Sequence, residues 1–197
     1  MRYSAVLLAG VAGLASQASA QNFSLSLGTS VATLNPSGGT FTVTVYGDAD
    51  VGTHMLGGAF SLVSNGDCIS DMQWNPASWS VFNTDGGYAG SGDYNDVIFG
   101  QLVIPGIFPP APGSELGSAI GSYTITLDPF IGDIALVFDL VAVQPFSLET
   151  VDAVTGQTYQ SSSGNLSLGS LTIAVIPAPG TFAILGLGGL ASARRRR

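Results

Sequence analysis

The sequence predicts an all-β protein that folds as an antiparallel β-sandwich. Apolar and polar residues alternate with a period of two along much of the chain, as they do in half-buried strands. Short turns rich in Gly, Asn, Asp and Ser separate these segments, and none between residues 21 and 175 has convincing helical periodicity. Together these observations favour roughly eight to ten strands in two packed sheets.

Several strands can be recognised individually. Apolar side chains occupy every second position at Phe41, Val43 and Val45, at Tyr123, Ile125 and Leu127, at Leu166 and Leu168, and at Leu171, Ile173 and Val175. Segments 96–104 and 133–143 are more continuously apolar, which predicts central strands. Turns are predicted at 36–39, 47–48, 65–66 and 85–87. The pattern resembles cohesin-like and carbohydrate-module sandwiches, and the resemblance implies a jelly-roll or cohesin-like topology.

The first 20 residues have the features of a secretory signal peptide. Arg2 supplies a positive start, an apolar run extends from Ala5 to Leu14, and Ala18-Ser19-Ala20 places small residues where signal peptidase requires them. The apolar run is too short for a permanent spanning helix, which needs about 20 residues. We therefore expect a short helix here, cleavage between Ala20 and Gln21, and export of the remaining chain.

Residues 176–197 form a second targeting segment. Pro177 and Pro179 end the preceding strand because proline lacks a backbone donor. An apolar stretch at 181–193 follows, and as a helix it would be about 20 Å long. It is short for a hydrocarbon core of about 30 Å, although local thinning can accommodate it. The chain then continues with Arg194, Arg195, Arg196 and Arg197, which favour the cytoplasmic side. These features predict transient anchoring in the inner membrane.

The proline motif, the short helix rich in Leu, Gly and Ala, and the arginine cluster together resemble the PEP-CTERM sorting signal. The resemblance covers only residues 176–197, and Ala178 stands where the motif has glutamate. It implies processing by an exosortase-like membrane enzyme in an exported protein of bacteria that produce biofilm or exopolysaccharide. The chain therefore divides into a signal peptide (1–20), a β-sandwich domain (21–175) and a sorting tail (176–197).

Charge is distributed very unevenly along the chain. All five basic residues lie in the terminal segments, whereas all 13 acidic residues lie between residues 21 and 175. A nucleic-acid partner is not expected, because Lys and Arg supply most of the affinity for phosphate. The same imbalance argues against anionic lipids and phosphorylated cofactors, but an acidic surface attracts divalent cations.

The sequence offers little for catalysis. His54 is the only histidine and Cys68 the only cysteine, so zinc has too few ligands and no internal disulfide can form. The G-x-S-x-G motif is absent. Two carboxylates would suffice for glycoside hydrolysis, but most acidic residues lie beside Gly or Asn in turns, where they serve the backbone. We therefore expect a protein that is not an enzyme.

A Gly-rich loop at 85–96 is a candidate calcium site. It carries carboxylate or amide oxygens at Asp85, Asp93, Asn95 and Asp96. Calcium binds six to eight oxygen ligands, which short acidic side chains and turn carbonyls can supply. The loop does not follow the EF-hand pattern, and a solvated loop without an ion remains the alternative. No other cofactor is expected.

Aromatic residues are concentrated in the same part of the chain, at Trp74, Trp79, Tyr88 and Tyr94. Exposed rings on a sandwich could stack on sugars, whereas buried rings would belong to the core. The sequence therefore favours an exported, non-catalytic protein of the cell surface or extracellular matrix. The alternative is a carbohydrate-binding module that uses these four rings to bind exopolysaccharide.

Overall fold

The computed structural model describes residues 20–130 and 135–175. In chain order the strands are β1 (Asn22–Gly28), β2 (Thr33–Leu34), β3 (Gly39–Ala49), β4 (His54–Ser64), β5 (Ile69–Pro76), β6 (Thr84–Asp85), β7 (Tyr88–Gly90), β8 (Asp93–Gly100), β9 (Ala119–Leu127), β10 (Ala135–Ala142), β11 (Glu149–Val151), β12 (Thr158–Gln160), β13 (Asn165–Leu168) and β14 (Ser170–Val175). A 3-10 turn spans Ser161–Ser163. The predicted terminal helices lie outside the described residues.

The strands form two sheets. The first is five-stranded, in the order β13-β1-β3-β9-β5. The second has the order β12-β11-β4-β10-β14-β2, and β8 pairs with β4 on the edge opposite β10. The pairs β1–β13 and β14–β2 are parallel, and the other pairs are antiparallel. The predicted antiparallel β-sandwich is therefore confirmed. In the described part of the chain, no helix has the length and apolar character required to cross a membrane.

The core lies between the sheets and follows the alternation in the sequence. Phe41, Val43 and Val45 of β3 are buried, whereas the threonines between them point outward. On the neighbouring strand β9, Ile125 and Tyr123 are in register with Phe41 and Val43 and are also buried. Burial of each such side chain stabilises the folded state by about 1.5–3 kcal/mol, so β3 and β9 supply a large part of the stability of the core.

An aromatic cluster connects the two sheets. Trp74 of β5 and Tyr123 of β9 have ring centroids 4.8 Å apart, and Tyr94 of β8 lies 4.9 Å from Tyr123. Phe60 of β4 approaches Trp74 edge-on at 5.6 Å. Since Trp74 and Tyr123 belong to one sheet and Tyr94 and Phe60 to the other, these rings pack across the interior. Each such contact contributes about 0.5–1.5 kcal/mol beyond the burial itself.

The two continuous apolar segments have different structures. Strand β10 lies between β4 and β14, so 133–143 does contain a central strand, as predicted. Segment 96–104 differs from the prediction, because β8 ends at Gly100 and Ile98 is 47% exposed. The reason is that the outer surface of β8 is left partly uncovered, so apolar residues there are not buried.

Where carboxylates of the described residues accept hydrogen bonds, the donors are neutral, because these residues include neither lysine nor arginine. Asp50 accepts hydrogen bonds from the backbone N–H of Asn22 at 2.9 Å and from its side-chain amide at 2.6 Å, and these bonds lower the pKa of Asp50. Asp152 accepts from the N–H groups of Thr155 and Val154, and the Thr155 bond is the main cause of its lowered pKa. The net repulsion among the carboxylates remains uncompensated.

This imbalance predicts that salt stabilises the domain. Raising sodium chloride from about 0.01 M to about 0.5 M shortens the Debye length from about 30 Å to below about 8 Å and screens the repulsion. The thermal midpoint of residues 21–175, measured by circular dichroism near pH 7, should therefore rise. Choline chloride should have a similar effect, because screening does not depend on the cation. A fall in the midpoint would contradict the prediction.

Candidate functional site

Exposed apolar side chains are concentrated on one side of the second sheet. We call this surface the apolar face and define it by Val81, Phe82, Ile98, Leu102 and Phe108. Their exposed fractions are 64%, 61%, 47%, 51% and 50%, respectively. These residues line two adjoining grooves, which share Phe82 and Gln101. A contiguous apolar surface of this kind marks an interaction site in a soluble protein.

The first groove lies over the junction of β4 and β8 and has a volume of about 460 Å³. Its floor is low because Gly57 and Ala59 of β4 and Gly100 of β8 have small or absent side chains. A Cβ atom on Gly57 would lie 2.8 Å from the carbonyl oxygen of Phe99, so the two strands approach too closely for a side chain there. The groove is therefore a shallow trough with a backbone floor and an apolar lining.

Phe82 is held in its exposed position by the backbone around it. The N–H groups of Val81 and Phe82 both donate to the carbonyl oxygen of Gly100 at 2.9 Å. The N–H of Gly100 in turn donates to the hydroxyl of Ser80 at 2.9 Å, and that hydroxyl donates to the side-chain oxygen of Asn83 at 2.6 Å. The exposed ring is thus carried on an ordered turn, so a partner would pay little entropy to bind it.

Residues 143–146 also line the first groove, and hydrogen bonds at 143, 147 and 148 anchor this part of the chain. Ser161 accepts hydrogen bonds from the N–H groups of Ser147 and Leu148, both at 3.1 Å. The hydroxyl of Ser147 accepts from the N–H of Val143 at 3.2 Å. These bonds fix the backbone that presents Pro145 to the groove.

The second groove, of about 320 Å³, is formed with the Pro-rich segment 105–112. Gln101 is only 8% exposed and connects this segment to β4. Its side-chain amide donates to the carbonyl oxygen of Met55 at 2.7 Å, and its side-chain oxygen accepts from the N–H of Ala111 at 2.8 Å. Gln101 therefore helps to place Phe108 beside Leu102 and Val81.

The charged side chains that line the first groove are acidic. Asp96 and Glu149 line it, and each accepts a hydrogen bond from a neutral side chain, Ser61 and Gln160, respectively. No lysine or arginine occurs among the described residues to balance them. The apolar face is therefore bordered by negative potential.

The predicted calcium ligands are engaged in separate hydrogen bonds, in which the three aspartates accept and Asn95 donates. Asp85 accepts from the hydroxyl of Tyr94 at 2.6 Å and from the N–H of Gly87 at 2.9 Å. Asp96 accepts from Ser61, and Asn95 donates to the carbonyl oxygen of Gly86. Asp93 accepts from the N–H of Ser64 at 3.4 Å. Within residues 20–130 and 135–175, no three His, Cys, Asp or Glu side chains are grouped closely enough to hold a metal ion. Calcium binding by this loop stays a prediction.

The predicted sugar-binding rings do not form an exposed surface. Trp74, Trp79 and Tyr94 are 5%, 2% and 3% exposed and belong to the core, so the prediction that they stack on sugar is wrong. Trp79 donates from Nε1 to the carbonyl oxygen of Ala119 at 2.8 Å. Tyr88 is half-buried, and its hydroxyl donates to the carbonyl oxygen of Ile69 at 2.6 Å. The alternation of β5 and β8 directs Trp74 and Tyr94 inward, which explains the difference.

Tyr94 has a structural role that the sequence did not indicate. Its hydroxyl accepts from the backbone N–H of Trp74 at 3.2 Å and donates to Asp85. Burial, reinforced by the bond to Asp85, raises the pKa of Tyr94 to about 12. The neutral phenol is therefore the form that joins the core to the 85–87 turn.

Sequence reasoning also missed the apolar face. The available signal was the pair Val81-Phe82 in a polar turn and the apolar run that continues past Gly100 directly into prolines. An apolar run of this kind predicts a buried strand, because the sequence does not show whether other parts of the chain cover it. Its exposure depends on tertiary structure, because β6 and β7 are short strands that pair with β8 at its edge.

No protein-family model and no curated protein matches the sequence. Solved structures match the fold. The seventh ScaB type I cohesin from Pseudobacteroides cellulosolvens is 11% identical, with 80% of this chain and 93% of that chain covered and a TM-score of 0.51. The type I cohesin–dockerin complex Coh-OlpA-Doc918 from Clostridium thermocellum contains a chain that is 10% identical, with 79% and 99% covered and a TM-score of 0.51. The β-sandwich is thus cohesin-like, and at these identities the likeness concerns the fold alone.

The two core tyrosines provide a matched test of the hydrogen bonds. Tyr94→Phe should destabilise the domain by about 1–3 kcal/mol, because it leaves the buried N–H of Trp74 without an acceptor. Tyr123→Phe should be neutral or stabilising, since the Tyr123 hydroxyl is buried and bonded to no described residue. Urea unfolding near pH 7 measures both changes.

The contribution of Tyr94 to the free energy of unfolding should depend on pH. Because its folded pKa of about 12 exceeds the ordinary value of 10, this contribution is complete below pH 10 and is lost as pH rises through 12. The stability difference between wild type and Tyr94→Phe should shrink over that interval. Equal effects of the two substitutions, or a difference that grows with pH, would contradict the assignment.

Proposed function

We propose that this protein is an exported, non-catalytic module that binds a protein partner through the apolar face. The observation that carries the proposal is the ordered exposure of Phe82 and Ile98 beside a groove with a glycine floor. Large apolar side chains at the centre of a preorganised surface supply most of the free energy in protein interfaces. Their exposure has a cost in solubility that a binding role explains.

The lining of the grooves favours binding over catalysis. Among the residues that line the two grooves there is no His, Cys, Ser or Lys, so the side chains of a nucleophile and base pair are missing. The only carboxylates there, Asp96 and Glu149, already accept hydrogen bonds from neighbouring side chains. The grooves are open troughs whose apolar residues suit the side chains of a second protein.

Charge defines the chemistry of that partner. The domain carries the 13 acidic residues of the chain and no lysine or arginine. A second copy of the domain would meet only like charge, which costs free energy as the copies approach. We infer a partner that presents apolar anchors flanked by Lys or Arg, so that the anchors fill the grooves and the cations lie near Asp96 and Glu149.

The fold comparison supports a protein partner. The Clostridium thermocellum structure is of a complex between a cohesin and a dockerin, so a sandwich with this architecture can present a protein-binding surface. For the present chain, this precedent fits a scaffold or adhesion role better than hydrolysis.

The terminal segments support an extracellular setting. We propose cleavage after Ala20 by signal peptidase and recognition of residues 176–197 by an exosortase-like enzyme, with transient anchoring in the inner membrane. Support comes from Ala18 and Ala20, from Pro177 and Pro179, and from the arginines at 194–197. The domain would then act at the cell surface or in the extracellular matrix.

Surface variants test the docking role directly. The partner is identified by cross-linking in the secreted fraction, purified, and titrated against wild-type domain and the variants Phe82→Ser and Ile98→Ser. Each variant should weaken binding about 30-fold, as expected for the loss of a central apolar anchor. Higher salt should weaken wild-type binding, because the partner is cationic.

The matched control is Val154→Ser. Val154 is 84% exposed but does not line either groove. It should bind like wild type, and all three variants should keep the wild-type thermal midpoint. Unchanged affinity in both Phe82→Ser and Ile98→Ser would refute the apolar face as the docking surface.

Intact mass tests the proposed route. Protein recovered from cells and medium of an exosortase-containing host should begin at Gln21, and the released form should lack the tail arginines. Ala18→Arg should block the first cut, because signal peptidase requires a small residue there. Replacing Arg194–Arg197 by serine should block the second cut. Recovery of wild-type protein from the cytosol with both ends intact would rule out this route.

A further inference from the structure

The outer surface of the five-stranded sheet is chemically unlike the apolar face. Its outward side chains are mostly hydroxyls and amides, and we call this surface the hydroxyl face. It comprises Ser24 and Ser26 on β1, Thr40, Thr42 and Thr44 on β3, Ser122, Thr124 and Thr126 on β9, and Gln73 and Asn75 on β5. Because the strands are in register, these groups form rows such as Thr42, Thr124 and Gln73.

A groove of about 380 Å³ lies at one side of this face. It is lined by Gly28, Thr29, Ser30, Thr42, Thr44 and Tyr46. Gly28 is paired with Thr44, so the absence of a side chain on Gly28 leaves a notch between β1 and the outward hydroxyls of β3. The ring of Tyr46 extends beside this notch, since a Cβ on Gly28 would lie 3.0 Å from Cε2 of Tyr46.

The turn after β1 forms part of the groove lining and is ordered. The hydroxyl of Thr29 donates to the carbonyl oxygen of Thr42 at 2.7 Å and accepts from the N–H of Val31 at 3.2 Å. These bonds hold the Thr29-Ser30 segment against β3. The groove is therefore formed before any ligand binds, which limits the entropy lost on binding.

The groove combines one exposed aromatic ring with several available hydroxyls. Tyr46 is 37% exposed, and its hydroxyl forms no hydrogen bond with a described residue. The hydroxyls of Ser30, Thr42 and Thr44 are likewise unbonded to the described part of the chain. Each can donate one hydrogen bond and accept two, and the ring offers an apolar surface.

We propose that this groove binds a neutral polysaccharide, with one sugar ring against Tyr46 and the chain continuing over the hydroxyl face. Sugars pair an apolar C–H surface with hydroxyls that donate and accept, which is the complement of the ring and hydroxyls here. The array beyond the groove offers similar hydroxyls at the strand spacing of about 4.8 Å. A chain ligand could thus be contacted across several strands.

Charge selects a neutral sugar polymer. Asp48 follows Tyr46 by two positions on the outward side of β3, and the domain has no lysine or arginine to bind an acidic sugar. A uronic acid or sulfated sugar would be repelled at this site. A protein partner is disfavoured by the small apolar area, because Tyr46 is the one large apolar side chain lining the groove.

Affinity electrophoresis in native gels tests the proposal. The domain is run through gels containing dextran, laminarin or galactomannan as neutral polymers, and alginate as an acidic one. At least one neutral polymer should retard wild type, and alginate should not. Tyr46→Ala should weaken the binding at least about fivefold, because it removes the ring surface. The double variant Thr42→Val/Thr44→Val should also weaken binding while keeping the β-branched shape.

Two controls separate the site from general effects. Tyr46→Phe keeps the ring and should retain most of the binding, and Phe82→Ser alters only the apolar face and should bind as wild type does. Thermal midpoints identify any variant that fails to fold, and the conservative threonine variant then decides the result. The proposal is overturned if no neutral polymer retards wild type, if alginate retards it equally, or if the groove variants migrate like wild type.

Discussion

The two sheets are held together almost entirely by apolar packing across the interior. The described residues contain no lysine or arginine, so no ion pair between a carboxylate and either of these cations can form among them. Cys68 is the only cysteine of the sequence, so no internal disulfide can form. The sheets are held together by the buried apolar side chains of β3 and β9 and by an aromatic cluster between the sheets. This cluster consists of Trp74, Tyr123, Tyr94 and Phe60. Turn N–H groups donate to Asp85 and Asp152, and neutral side chains donate to Asp96 and Glu149. Every surface feature of the domain is built on this interior.

The same framework leaves two outer surfaces with opposite chemistry. On the second sheet, glycines at Gly57 and Gly100 lower the floor, and ordered turns raise Phe82 and Phe108 beside it. On the first sheet, the outward positions of β3 and β9 carry threonines and serine. Because the surfaces lie on opposite sides of the sandwich, a protein and a glycan could occupy them at once. Such a module would connect a matrix polymer to a partner protein.

The sequence predicts the fold class well, because period-two alternation directly reflects which face of a strand is buried. Phe41, Val43, Tyr123 and Ile125 are buried as that pattern requires. The sites were harder to predict. Trp74 and Trp79 resembled exposed rings in a loop, yet sheet packing turns them inward. The run through Ile98 resembled a buried strand, yet its outer side is only partly covered. Both outcomes depend on how distant strands pack, which composition and spacing do not contain.

The parallel pairing of β1 with β13 has a mechanical consequence. The two strands are in register from Asn22 with Asn165 to Leu25 with Leu168, and β14 continues the chain from β13 into the opposite sheet. Tension applied between Asn22 and Val175 would pull β1 and β13 along their axes in opposite directions. Their hydrogen bonds would then be loaded together in shear instead of being opened one after another. A domain pulled at both Asn22 and Val175 would therefore resist unfolding more than one whose terminal strands separate one hydrogen bond at a time.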